Sequence, residues 1–78
     1  MNMNSIIVDI INSFESNSKT RTSKYKEFLA YVYKTFENKI TSSREKKTKN
    51  KYKKIRLSVL QYIITNEKEI TTEICKRK

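Results

Sequence analysis

Neither glycine nor proline occurs anywhere in the 78 residues of this chain. At ordinary usage, about 7% and 5%, both would be present several times over. Turns that need a positive φ fall most easily to glycine. Tight two-residue hairpins rely on Asn-Gly or Gly-X pairs, and none is available. Helices joined by Ser, Thr and Asn loops need neither residue. The chain is therefore expected to be all-α, with no β-sheet.

Length points to one domain spanning 1–78 with a single compact core. A domain this small buries only about 60–65% of its unfolded surface, so its stability is marginal and a second copy would add to it. A homodimer is expected on that ground. Cys75 is the lone cysteine and histidine is absent. A disulfide framework is excluded, and a single chain cannot supply tetrahedral zinc ligands. No base is on hand to activate Cys75, and no glycine-rich phosphate loop can form. The carboxylates Asp9, Glu15, Glu27, Glu37, Glu45, Glu67, Glu69 and Glu73 include no obvious acid–base pair. The expectation is a protein that is no enzyme and takes no cofactor. No apolar run reaches the length of a membrane span. The start, Met1-Asn2-Met3-Asn4, lacks the basic opening of a signal peptide. A cytoplasmic, nuclear or virion-interior location fits. The 14 Lys, 10 Ile and 7 Asn match an AT-rich genome, as in a virus or mobile element.

Four segments carry helical signals. Met3, Ile6, Ile7, Ile10, Ile11 and Phe14 recur with helical spacing, predicting a helix over about 4–16 with Asn4 or Ser5 as its cap. A polar linker follows over 16–22. Tyr25, Phe28, Leu29, Val32, Phe36 and Ile40 form the clearest stripe and predict a helix over about 23–40, with Tyr33 at its edge and Tyr31 off it. Ser42 and Glu45 have capping-box spacing, predicting a third helix over about 43–66. On it Tyr52, Ile55, Val59, Tyr62 and Ile63 share a face, and Leu57, Leu60 and Ile64 widen that face. So broad an apolar arc is expected to be buried from several directions. Thr71 is the expected cap of a short fourth helix or turn over about 71–77, with Ile70 and Cys75 as a hydrophobic staple. The architecture predicted is a small three-helix bundle with this C-terminal addition.

Charge is distributed unevenly along the chain. Residues 1–43 carry six basic and four acidic groups, and residues 57–78 four and three. The thirteen residues 44–56 hold eight basic groups against Glu45. They are Arg44, Lys46, Lys47, Lys49, Lys51, Lys53, Lys54 and Arg56. Like charges at this density destabilise a helix unless a partner neutralises them. Where the second half of the third helix has Leu57, Leu60 and Ile64, its first half has Lys46, Lys49 and Lys53. Residues 44–54 are thus expected to project as a basic segment or to fray when unbound.

The partner such a surface suits is a polyanion. Nucleic-acid phosphates would release counterions on neutralisation. Lysine is a point charge without the planar fork that reads guanine edges, so backbone contact with little sequence preference is expected. The ridge is Arg44, Lys47, Lys51 and Lys54, flanked by Lys46, Lys49, Lys53 and Arg56, with Lys76, Arg77 and Lys78 as possible additions. Tyr52 inside the basic run and Tyr31 are the candidates for stacking on bases. The competing readings are a small interaction module docking its basic helix on an acidic protein, as an inhibitor or assembly factor would, and a merely solvated charged segment. Leu57 to Arg77 also resembles the first half of a helix-turn-helix unit, without the glycine often found in its turn. A membrane surface fits poorly, because the basic run has only Tyr52 as an apolar anchor.

Overall fold

The computed structural model describes residues 5–76. Among them are four helices and no strand: α1 (Ser5–Ser13), α2 (Arg21–Ser42), α3 (Lys46–Thr65) and α4 (Glu67–Lys76). The all-α expectation is met, and none of these helices is long and apolar enough to cross a membrane. The core consists of Ile7, Ile10 and Ile11 from α1, Tyr25, Phe28, Val32 and Phe36 from α2, Val59 and Ile63 from α3, and Ile70 and Ile74 from α4.

Ile7, Ile10 and Ile11 form the core face of α1 as predicted, but Ile6 of the same stripe is exposed. Met3 lies outside the described residues, and the helix stops at Ser13. Phe14 lies just beyond it and turns inward, its ring 5.1 Å from that of Phe28 in an edge-to-face contact. Tyr31 tilts against the same Phe14 ring at 5.4 Å. Tyr31 is thus half-buried in the packing rather than free to stack on a base. The expected cap Asn4 lies outside the described residues. The linker is held down by Glu27, whose carboxylate accepts from the Ser16 hydroxyl. That bond and others from Ser18 and the linker backbone keep the Glu27 carboxyl below the usual range.

Helix α2 begins two residues earlier than its apolar stripe suggested. Thr20 is the cap, its hydroxyl oxygen accepting from the Ser23 amide at 3.1 Å. The helix also runs two residues further, to Ser42, and this overturns the capping box at Ser42 and Glu45. The Ser42 hydroxyl donates to the Asn38 carbonyl at 2.8 Å and the Ser43 hydroxyl to that of Lys39 at 2.7 Å. Both hydroxyls therefore bond back to carbonyls of the last turns of α2 and do not open the next helix. The residue capping α3 is Glu45, whose side chain makes no capping bond.

The expected start of the last helix at Thr71 is also overturned. Asn66 ends α3, its side-chain amide donating to the Tyr62 carbonyl at 2.9 Å. Its own carbonyl accepts from the Ile70 amide at 3.0 Å, so α4 begins one residue later. Glu67 and Glu69 in the first turn and Lys76 in the last suit the helix dipole. Starting at 67 puts Ile70 and Ile74 one turn apart on the buried face. Ile70 and Cys75 lie within one helix and form no staple. A one-residue junction is shorter than the three or four residues of a helix-turn-helix turn, so that resemblance fails here.

Tyr25 ties α2 to the end of α3. Its hydroxyl donates to the Ile63 carbonyl at 3.4 Å. Burial, and secondarily the negative charge of Glu67, pushes its phenol pKa up.

Candidate functional site

Helix α3 is about 30 Å long at 1.5 Å per residue. One line of residues faces the core: Thr48 and Tyr52 half-buried, Ile55 and Arg56 half-buried, then Val59 and Ile63 buried. This face runs the full length of the helix, through its basic half as well. Lys46–Thr65 is one uninterrupted helix, fastened to the body at Tyr52 and Ile55, which pack against the core cluster. A cleft of about 300 Å³ beneath them is lined by Ile6, Ile10 and Phe36, with Asp9 and Lys39 beside these.

The predicted ridge is exposed. Arg44, in the loop between α2 and α3, and Lys47, Lys51 and Lys54 all face solvent, as do Lys46 and Lys53 on the flank. Lys49 is half-buried. Arg56 belongs elsewhere. Its guanidinium donates to the Glu37 carboxylate at 3.3 Å and sits 4.6 Å from the Tyr33 ring centroid. At helical spacing Arg56 falls on the side of α3 turned to α2, so it clips two helices together. Tyr52 is also committed: half-buried, with the Lys39 ammonium 5.7 Å from its ring centroid. One aromatic face thus holds a cation already.

Lys39 is the basic residue that reading along the chain missed. It lies near the end of α2 and meets α3 because the connection, residues 43–45, is short. Its position one turn before a short connection to the basic helix was the available signal. Arg77 and Lys78 lie outside the described residues. Lys76 is paired with Glu73 at 3.7 Å, on the other end of the chain.

The electrostatics of this face are unbalanced. Among the described residues, Arg56 is the member of the basic group that is paired with a carboxylate. The first turn of α3 holds no acidic residue and begins Lys46-Lys47. Cations there oppose the helix dipole, which is positive at this end. The arrangement can hold several anionic groups along one line. No family model, curated protein or solved structure matches the chain.

Proposed function

We propose that the protein binds nucleic acid, without catalysing a reaction, through the outer face of the basic half of α3. The observation that carries this reading is the row of exposed cations Arg44, Lys46, Lys47, Lys51, Lys53 and Lys54 on that face. Helix Lys46 to Lys54 rises about 12 Å. Duplex DNA presents about seven phosphates over that length. The charge densities are comparable, and binding would relieve both the lysine repulsion and the unfavourable start of the helix. Lys39 extends the face onto α2, and Lys49 supports it from the side. Most of the cations are lysines, which favours contact with the phosphate backbone over reading of base edges. Tyr52 serves here as an anchor for the face, not as a stacking platform. Such a role belongs in a compartment that holds nucleic acid, namely cytoplasm, nucleus or virion interior. It suits the compositional bias of a viral or mobile-element gene.

Fluorescence anisotropy with duplex DNA, single-stranded DNA and RNA over a range of salt tests the proposal. Expected is binding that falls steeply with salt, by about 0.9 in log–log slope per duplex phosphate neutralised. Changing Lys47, Lys51 and Lys54 to Gln should flatten that slope by up to about 3 in log–log terms. No binding at low salt would sink the reading. A single acidic protein recovered with this chain after nuclease treatment, and lost in the same variant, would assign the face to a protein instead.

A further inference from the structure

The second half of α3 carries large apolar side chains that none of the described residues covers. Leu57 is 59% exposed and Ile64 61% exposed, although both extend the main apolar face. Leu60 lies between them, half-buried. The steps of three and four residues make one heptad of a coiled-coil seam. Arg56, one turn before Leu60, carries Tyr33 beside the seam, and that ring is 49% exposed.

The charges at the two ends of the strip are opposite. Lys53 and Lys54, both exposed, sit one turn before Leu57. Glu67 and Glu69, both exposed, open α4 three to five residues after Ile64, with the exposed Lys68 between them, so this end is acidic on balance. A two-fold interface must be complementary to itself. An apolar centre with a basic end and an acidic end meets that condition when two copies lie antiparallel. Each basic end then faces the other copy's acidic end. The parallel alternative would set two strongly basic stretches side by side.

We propose that a second copy of this chain covers the strip, with the two α3 helices antiparallel through Leu57, Leu60 and Ile64. The centre of the basic stretch lies about eleven residues from the centre of the strip. Antiparallel pairing therefore separates the two basic faces by roughly 30 Å at 1.5 Å per residue. That exceeds the screening length of about 8–10 Å at physiological salt, so the net positive charge of each copy does not forbid the pair. The contact is small, so the association is expected to be weak and reversible. Pairing needs no nucleic acid and stands or falls apart from the nucleic-acid reading.

Sedimentation equilibrium of the protein alone, with Cys75 kept reduced, is the test. Expected is a monomer–dimer equilibrium, with Kd raised at least about tenfold by Leu57→Ser with Ile64→Ser. Circular dichroism would check that this exposed pair leaves the fold intact. Lys53→Glu with Lys54→Glu should weaken the dimer about tenfold, and adding Glu67→Lys with Glu69→Lys should restore it to within about threefold. A monomer at all concentrations would overturn the proposal. So would a dimer indifferent to the apolar pair, or a charge exchange that fails to rescue in a folded variant. Monomer that instead floats with anionic phospholipid vesicles through Leu57 and Ile64 would assign the strip to a lipid surface and likewise overturn it.

Discussion

The two halves of α3 obey one helical period and lie against one core, yet they differ in what their outer sides carry. In the C-terminal half Val59 and Ile63 are buried while Leu57 and Ile64 stand in solvent. In the N-terminal half Tyr52 supplies a half-buried anchor, and lysines stand where those exposed leucine and isoleucine side chains would be. The inner faces therefore contribute to folding, more so near the C-terminus. The outer faces contribute little and retain unmet potential, hydrophobic in one half and electrostatic in the other. A helix in a small bundle can be fixed by one side and leave the other side to partners.

The largest effect expected is on the inner face. Ile63→Ala removes a side chain that is 0% exposed and should cost about 2–5 kcal/mol by urea denaturation. Leu57→Ala, in dilute protein, should stay within about 0.5 kcal/mol. Equal costs would mean that Leu57 is covered in the monomer and would break the distinction between faces.

Salt sharpens the contrast on the basic half. Screening of the lysine repulsion should stabilise the fold by about 1 kcal/mol between low and roughly 0.5 M NaCl, read in urea because guanidinium is itself a salt. The Lys47, Lys51 and Lys54 to Gln variant should lose most of that dependence. A wild type whose stability ignores salt would show that the basic half is not under electrostatic strain.

Tyr25 probes the join at the apolar end. Tyr25→Phe deletes the bond to the Ile63 carbonyl and should cost about 1 kcal/mol. Because burial raises its pKa, the folded state holds the phenol proton more tightly than the unfolded one. The resulting stability is fully present below the unfolded value of 10.0 and is lost as pH rises through the higher folded value. Phenolate absorbance should show a tyrosine ionising above the ordinary value of 10.0, a phase absent in Tyr25→Phe.

The smallest change concerns the start of the basic half, where Glu45 makes no capping bond. Glu45→Asp keeps the net charge and offers a better cap, so a gain of about 0.5–1 kcal/mol is expected in thermal or urea unfolding. No gain would mean that the first turn of α3 is already satisfied.

Much of this arrangement is legible in the sequence. The stripe Tyr25, Phe28, Val32 and Phe36 is the core face of α2, and Ile7, Ile10 and Ile11 are that of α1. Helix ends were harder to place. Ser42, Ser43, Thr71 and Thr72 look like cap residues in isolation. Yet the serine hydroxyls bond back to Asn38 and Lys39, and that of Thr72 to Lys68. A hydroxyl within reach of a carbonyl one turn back serves a helix end or interior as readily as a start, and spacing alone does not distinguish them.

By itself, the sequence determined the helical class, because without glycine or proline few alternatives remain, and it determined where the charge lies. It also set the angular position of every side chain on each helix, since that follows from the period. Tertiary structure decided how wide an arc of each helix is covered. That depends on how many neighbours arrive and from which side, which no period encodes. For this reason Leu57 and Ile64 were expected inside and stand outside, Tyr31 was expected outside and packs on Phe14, and Arg56 was expected among the free cations and is clasped by Glu37 and Tyr33.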